Sequence, residues 1–386
     1  MMIENSKRVV PICLALIMIG VSFEYSIFVE FLSVCRMNNV QIATILSVQS
    51  ISVFVLEYIT GLISDKIGHK KILIIGAIVM VLSELIYIIS LNFYLYLVAI
   101  IGISFSVSSQ SGANMAFLHD FMESIGEEEK FEDVLCNWGV SSNIAQIFIL
   151  FIGAWVCKYS IFTPFWLTIF IVMFGMLILL LTKYRDKKTK KTTKELIKGS
   201  FKVVINNRNM FFLCLIACIL YPVYHIVSSY SQVYMNDLDI KLEYYGLFYV
   251  FLLLTQAFGG KCANIIKSWG YKRLIFVASM LIGVSLVLVW FENAIISIIS
   301  VGLIGFAFGI IYMINSFEIN RIASSENRAT LISLQHAIVK VVQTFMLFLC
   351  GYGLEYIQMN QIFLIIGITI IILITSIFFI KMHHFA

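Results

Sequence analysis

Residues 61–71 read Gly61-Leu-Ile-Ser-Asp-Lys-Ile-Gly-His-Lys-Lys71, a short basic stretch between two long apolar segments. The chain around it is 60% hydrophobic and only 13% charged over 386 residues. Soluble proteins carry about 25% charged residues, because their surfaces face water. We therefore expect this stretch to be a loop at a membrane surface, joining two helices that cross the lipid.

The remaining apolar segments extend this interpretation to the whole chain. A membrane-spanning helix needs about 20 mainly apolar residues, and twelve stretches meet that requirement. The first begins after Lys7 and Arg8 and is too long for a signal peptide, so we expect it to be retained. We name the stretches spans 1 to 12; they cover residues 9–34, 40–63, 72–91, 93–118, 136–157, 160–182, 209–235, 244–265, 274–291, 294–319, 329–354 and 358–381.

The distribution of basic residues predicts the orientation, because Lys and Arg concentrate in cytoplasmic loops. With a cytoplasmic N-terminus, all but four of the 27 Lys and Arg residues fall on the cytoplasmic side. Arg36, Lys158 and Lys241 lie outside, and Lys340 lies within span 11. We expect a multi-pass protein of the cell membrane, plasma or inner, with both termini in the cytoplasm.

One long polar connection divides the chain. Residues 183–208 contain ten basic and two acidic residues, and we expect this linker to lie on anionic membrane lipids and to bind no nucleic acid. It separates a six-helix half, residues 1–182, from a second, residues 209–386. Gly68-His-Lys-Lys71 recurs as Gly270-Tyr-Lys-Arg273, which indicates that the halves are repeats of the kind found in secondary transporters.

The loop also carries a family resemblance. Gly61-x-x-x-Asp65-Lys66-x-Gly68-x-Lys70-Lys71 resembles the signature loop of the major facilitator superfamily, whose fold is all-α with twelve transmembrane helices in two six-helix halves. Ile59 and His69 depart from the usual proline and arginine, and Lys267 stands at the position of Asp65 in the second copy. Three further runs resemble a branch of prokaryotic exporters: Glu57-Tyr-Ile-Thr-Gly61, Ser111-Gly112-Ala113 with Ala116 and Asp120, and Asn327-Arg-Ala-Thr-Leu-Ile-Ser333.

The resemblance implies that the loop latches the two halves on the cytoplasmic side, through Gly61, Asp65, Gly68, Lys70 and Lys71. Gly61 would let span 2 approach a neighbour closely, and Asp65 would suit the start of span 3. Gly68 would supply the backbone angles of a tight turn, and the two lysines would remain in water. A basic turn that only sets topology would explain the lysines, but neither the glycines nor Asp65.

Ionisable residues within the spans require an explanation, because a charge at the bilayer centre costs about 2.5–3.5 kcal/mol on insertion scales. Glu24, Glu84 and Lys340 are the candidates for coupling, and Glu57 is interpreted as a structural acid beside the loop. Glu24 either exchanges a proton or forms a permanent ion pair with Lys340 or another cation. Glu84 alternatively pairs with a neighbouring helix. Lys340 either has an acidic partner or meets an anionic substrate.

Uncharged polar and aromatic residues predict a substrate cavity. Span 7 contains Pro222, which can loosen the helix and free backbone carbonyls at that depth. Interhelical hydrogen bonds or plain packing remain alternatives for these side chains. The candidates are Gln110, Asn114, Asn143, Gln146, Tyr221, Tyr224 and His225.

These features together predict a secondary active transporter that works by alternating access. The resemblance favours export (efflux) of a small organic compound, with proton antiport as the candidate coupling. An uptake permease for a small metabolite is the alternative, and a non-transporting membrane sensor is a third interpretation. No catalytic or metal-ligand pattern lies at one depth, so we expect a monomeric transporter without enzymatic activity, cofactor or metal.

Overall fold

The computed structural model of the protein describes residues 2–182, 207–322 and 328–383. Within these ranges the chain is helical, and eleven helices are long and apolar enough to cross a membrane; a bent pair of helices makes a twelfth. The predicted all-α fold is therefore confirmed. Spans 2 to 6 are the helices Asn39–Ile67, His69–Ile89, Phe93–Ser124, Phe131–Val156 and Thr163–Leu181, and spans 7 to 12 are Arg208–Asp237, Tyr245–Ile266, Tyr271–Leu288, Ala294–Ile322, Arg328–Gly353 and Met359–His383.

Asparagines define where four of these helices begin, since an Asn side chain can accept the hydrogen bonds of unpaired helical N–H groups. Asn38 forms a capping box with Gln41 at the start of span 2, with reciprocal bonds of 2.8 and 3.0 Å. Asn92, Asn207 and Asn293 cap spans 4, 7 and 10 by accepting backbone N–H bonds at their side-chain oxygens. Because such caps are local, these boundaries follow directly from the sequence.

The chain divides into two compact units. Unit 1 comprises Met1–Lys191 with Lys241–Leu247, and unit 2 comprises Thr192–Ile240 with Phe248–Ala386. The grouping of Lys241–Leu247 with unit 1 was not expected from the sequence. Most of the predicted linker, residues 183–208, lies outside the described residues, so the predicted half boundaries stay predictions.

Corresponding turns of the two units share their backbone conformation. Gly68 and Gly270 both have positive φ, 103° and 88°, between the second and third helix of their unit. Arg36 and Asp239 also have positive φ, 64° and 56°, after the first helix. The residue after each of them donates its N–H to a carbonyl five residues earlier: Met37 to Leu32 at 3.1 Å, and Ile240 to Met235 at 3.0 Å. The repeat thus extends well beyond the Gly-x-Lys-Lys/Arg motif.

Span 1 is broken, which the sequence interpretation missed. It consists of Met2–Ile19, Ser22–Tyr25 and Phe28–Val34, and its two parts are bent by 51°. Neighbouring spans compensate for the lost helical bonds, since Thr168 Oγ1 donates to the Gly20 carbonyl at 2.9 Å. Ser26 Oγ likewise donates to the Leu150 carbonyl at 3.1 Å.

Span 7, where Pro222 was expected to loosen the helix, is instead continuous from Arg208 to Asp237. The proline removes one hydrogen bond, but buried residues run along the helix on both sides of it and hold it in place. Among the described spans, the broken one is therefore span 1, which has no proline at its bend.

Candidate functional site

Two carboxyl groups meet inside unit 1, next to the break in span 1. Glu24 lies in the short helix Ser22–Tyr25 and Glu84 lies in span 3, and their side chains are only 3% and 0% exposed. The two carboxyl groups are close enough to each other to interact directly. Among the described residues, no group donates a hydrogen bond to Glu24 Oε2 or to either oxygen of Glu84. A carboxylate only accepts hydrogen bonds, so these two can bond to each other only when one is protonated.

An aromatic cluster covers the carboxyl pair. Tyr87 lies one helical turn after Glu84, and its buried hydroxyl has no hydrogen-bond partner among the described atoms. Both glutamates are near enough to act on that hydroxyl electrostatically. Ring centroids in the cluster are 4.3 to 6.5 Å apart. Its members are Phe28, Phe31, Tyr87, Tyr96, Phe162 and Phe165.

Span 5 lies directly against the break in span 1. A Cβ atom on Gly153 would lie 2.0 Å from the Phe23 carbonyl oxygen, so only glycine allows this contact. Gln146 Nε2 donates to Ser22 Oγ at 3.3 Å, and its predicted place at a cavity stays a prediction. Asn143 is exposed on the same span. The residues that flank Glu24 are therefore fixed by close contact with span 5.

The structure thus brings together two of the three predicted coupling residues. The sequence analysis treated Glu24 and Glu84 separately, because hydropathy gives the depth of a residue but not the helix it faces. Glu24 faces the acid Glu84 within unit 1, and its predicted alternative, an ion pair with Lys340 or another cation, stays a prediction. The third candidate, Lys340, belongs to unit 2.

A cavity of about 500 Å³ lies in unit 1 beside the first helix of span 1. Its wall is mainly apolar and includes Pro11, Leu16 and Trp138, with Asn137 and Ser141 among its few polar groups. None of the predicted cavity residues lines it. The sequence could not indicate it, because its wall combines ordinary span residues with the segment after span 4.

The predicted residues Gln110 and Asn114 are instead buried in unit 1, at 5% and 4% exposure. Gln110 Nε2 donates to Ser106 Oγ within span 4 at 3.3 Å. Asn114 Oδ1 has no partner among the described atoms. The cavity roles predicted for Gln110 and Asn114 stay predictions.

Unit 2 contains an amide and aromatic network around the predicted residues Tyr221 and Tyr224. The Tyr221 hydroxyl accepts from Asn315 Nδ2 at 3.0 Å, and Asn315 also donates to Gln335 Oε1 at 2.9 Å. The Tyr224 hydroxyl donates to Gln256 Oε1 at 2.7 Å. The sequence analysis missed Asn315, Gln335 and Gln256, although an amide within an apolar span is a signal that could have identified them.

His225 and Lys340 lie beside this network. Spans 7 and 11 run side by side, with Gln335 bonded to the Leu213 carbonyl at 3.3 Å and the Tyr230 hydroxyl bonded to the Leu347 carbonyl at 2.9 Å. His225 and Lys340 lie between these two contacts, both half-buried. The Lys340 ammonium is near enough to act on the His225 ring electrostatically.

The signature loop makes contacts within unit 1 that differ partly from those expected. Gly68 has the positive φ that its turn requires, and Lys71 is exposed as predicted. Lys70, expected in water, donates to the Leu180 and Thr182 carbonyls at 3.3 and 2.5 Å. These carbonyls end span 6, where the helix dipole favours a cation.

Close packing does not account for the glycine at position 61. A Cβ atom added there would meet no described atom within 4 Å, so the expected close approach of a neighbour is not present in this structure. Asp65 is half-buried. Ser111 Oγ donates to Glu57 Oε1 at 3.3 Å, which gives Glu57 a partner on span 4, and its interpretation as a structural acid stays a prediction.

His69 connects the loop to span 4. Its Nδ1 is 2.7 Å from Ser64 Oγ, and its Nε2 is 3.9 Å from an Asp120 carboxyl oxygen. Asp120, His119 and Glu123 are the one described set whose metal-type ligand atoms lie within 4.8 Å of one another. These side chains are exposed or half-buried, and His119 and Asp120 already face other side chains. We therefore assign no metal ion to these three residues.

Comparisons with known proteins give the same architecture. A family model described as Major Facilitator Superfamily matches residues 12–334. No curated protein matches the chain significantly. Among solved structures, the nucleoside transporter NupG is 12% identical, with a TM-score of 0.83 over 96% of this chain and 98% of that one.

Two other solved structures are similar to this chain, and each similarity covers 96% of this chain and 96% of the other. An auto-inhibited peptide transporter of the POT family is 9% identical with a TM-score of 0.75, and a D-xylose–proton symporter is 11% identical with a TM-score of 0.70. Identities this low establish a common fold and nothing more about substrate.

Proposed function

Because the chain belongs to the major facilitator superfamily, we propose that it is a secondary active transporter that exports a small, partly hydrophobic organic compound in exchange for protons. The buried contact between Glu24 and Glu84 is the observation that carries the coupling part of this proposal. Two carboxyl groups in contact at membrane depth do not both ionise, since like charges and desolvation both oppose it. The pair therefore holds at least one proton while it is closed.

The bend in span 1 supplies a way to release that proton. Glu24 sits on a short helix between two breaks, whereas Glu84 sits within the continuous helix of span 3. Moving the short helix would separate the carboxyl groups and admit water, so that both could ionise. Closing the pair again would require protonation. The shape of span 1 and the number of bound protons are thereby coupled, as alternating access with proton exchange requires.

The substrate part of the proposal is supported by the cavity in unit 1. Its volume of about 500 Å³ lies in the range of about 300–1,000 Å³ that is usual for sites of drug-sized ligands. Its mainly apolar wall suits a partly hydrophobic compound. Export as the direction rests on the resemblance at Glu57–Gly61 and Asn327–Ser333. We keep the predicted cytoplasmic position of the Gly61–Lys71 latch and of both termini as parts of this proposal.

A pH-gradient assay in inverted membrane vesicles tests the coupling without a known substrate. The vesicles are acidified inside by respiration, a fluorescent amine reports the gradient, and small organic compounds are added in turn. For a transported compound, we expect the gradient to dissipate with the wild-type protein but not with Glu24→Gln or Glu84→Gln. Glu30→Gln, at the rim of the same span, serves as the matched control and should behave as wild type. A compound that dissipates the gradient equally in all four proteins would refute the coupling role.

Proton-coupled uptake of a small metabolite is the second candidate. It is favoured by the similarity in fold to a structure described as a D-xylose–proton symporter. The same vesicles separate the two functions. Antiport moves protons out of the acidic lumen as the compound enters, whereas symport carries protons and compound in the same direction and acts in vesicles of the opposite orientation.

A further inference from the structure

One lysine of unit 2 lies at the depth of its polar network. Lys340 is close to the middle of span 11 (Arg328–Gly353) and acts on the neighbouring His225. The described carboxylates in the spans of unit 2, Asp237 and Glu318, lie near helix ends instead, and Glu292 lies between spans 9 and 10. Glu318 is paired with Arg321 at 2.8 Å. An ammonium has three donors, so Lys340 can serve a protein group and a ligand together.

Aromatic rings stand next to these two residues. Tyr224 lies beside His225, with ring centroids 6.2 Å apart. The Tyr224 ring is also stacked on Phe308, at 3.9 Å and an interplanar angle of 9°. The bond from the Tyr224 hydroxyl to Gln256 fixes the ring in this position. Tyr312 is 45% exposed, and its ring is tilted by 35° to that of Phe308 with the centroids 6.3 Å apart, so an exposed aromatic ring lies next to this stack.

We propose that Lys340, His225, Tyr224 and Tyr312 form an anion site in unit 2 that holds a carboxylate of the transported compound, with its planar apolar part against the rings. The inference rests on the proposed transport function and adds a substrate class to it, an aromatic or otherwise planar organic acid. A cation at membrane depth attracts an anion strongly because few competing water molecules are present. A single ammonium suits a singly charged carboxylate.

Equilibrium binding tests the anion site without any gradient. The purified full chain in lipid nanodiscs is titrated calorimetrically with 2-naphthoate and with its neutral analogue 2-naphthamide. We expect the wild-type protein to bind the acid at least about tenfold more tightly, which corresponds to about 1.4 kcal/mol. Lys340→Gln should abolish this preference and leave the affinity for the amide unchanged. Lys340→Arg keeps the charge and should retain the preference.

Lys261→Gln is the matched control, because Lys261 is an exposed lysine of the same unit, and this variant should bind both probes as wild type does. Equal affinities of the wild-type protein for acid and amide, binding of neither probe, or a preference that survives Lys340→Gln would each overturn the anion site. These outcomes are independent of the vesicle assay. Failure of proton coupling there leaves the binding preference intact, and loss of the preference here leaves the coupling result intact.

Discussion

The two units use the same backbone turns to hold different buried chemistry. Positive φ recurs at Arg36 and Asp239 and at Gly68 and Gly270. At the position 202 residues after Glu84, however, unit 2 has Leu286, which is buried and apolar. Unit 1 contains a carboxyl pair, and unit 2 contains amides, aromatic rings and a lysine. The comparison indicates that the repeat preserves the turns while the buried chemistry of the two units differs. In our proposals, unit 1 exchanges the proton and offers an apolar cavity, and unit 2 holds the carboxylate of the compound.

Glu84→Leu and Leu286→Glu, which exchange the side chains at the two corresponding positions, should have the largest effects of the substitutions that test this comparison. Glu84→Leu should reduce proton-coupled transport by about 10²-fold, the usual scale for loss of a proton-transfer group. The same change should leave the fold as stable or raise stability by about 1–4 kcal/mol, since an apolar residue replaces a buried ionisable one. Leu286→Glu should instead cost about 2.5–3.5 kcal/mol, because no second carboxyl group shares its proton. Thermal unfolding in detergent and the vesicle assay measure both effects. Destabilisation by Glu84→Leu would contradict the account.

The contact of span 5 with the break gives the next largest effect. Gly153→Ala places a Cβ 2.0 Å from a backbone oxygen, so the break must shift, at a cost of about 1–3 kcal/mol. Gly139→Ala on the same span meets no described atom within 4 Å and should be neutral or stabilising, because alanine favours helix. Unfolding temperatures of the two variants give the comparison. Equal behaviour would show that the break is not held by this contact.

The turns at Gly68 and Gly270 should respond to substitution with similar losses of stability. Gly68→Ala and Gly270→Ala each force a side chain into the left-handed region and should cost about 1–2 kcal/mol. Their effects on thermal stability should be similar, because the two turns have the same conformation. A large difference in stability between the variants would mean that the repeat does not extend to the energetics of its turns.

The lysines that follow these turns should differ slightly in their contribution to stability. Lys70→Gln removes a cation from the carbonyl end of span 6 and should cost about 0.3–1 kcal/mol. Lys272, the corresponding residue, lies 5.8 Å from the Tyr271 ring centroid, and Lys272→Gln should cost no more than about 0.5 kcal/mol. Denaturation at low and high salt measures both, and the Lys70 effect should shrink as salt is added. An effect of Lys70→Gln that salt leaves unchanged would argue against an electrostatic origin.

The positions of the spans along the chain and the local glycine turn were predictable from the sequence. Hydropathy marked the spans because lipid imposes a length and a composition on each helix, and Gly68 was identified because its turn is a local backbone requirement. The bend in span 1 was not predictable, since the hydrogen bonds that compensate for it come from Thr168 and from the Leu150 carbonyl, far away in the chain.

The candidate site was only half predictable for the same reason. Glu24 and Glu84 were identified individually by the cost of placing an acid in lipid, but their contact depends on which helix faces which. Lys70 shows the same limit. Its charge predicted a place in water, whereas the end of span 6 supplies carbonyl partners that no local pattern reveals.

Infrared difference spectroscopy of the carboxyl groups tests the central claim most directly. The purified protein in lipid is compared with the Glu24→Gln/Glu84→Gln double variant, and the carbonyl stretch of protonated carboxylic acids is recorded in each. The account predicts a protonated-carboxyl band in the wild-type spectrum that the double variant lacks and that either single variant shifts. A wild-type spectrum identical to that of the double variant would show that the two glutamates share no proton, and would contradict the proton exchange proposed for unit 1.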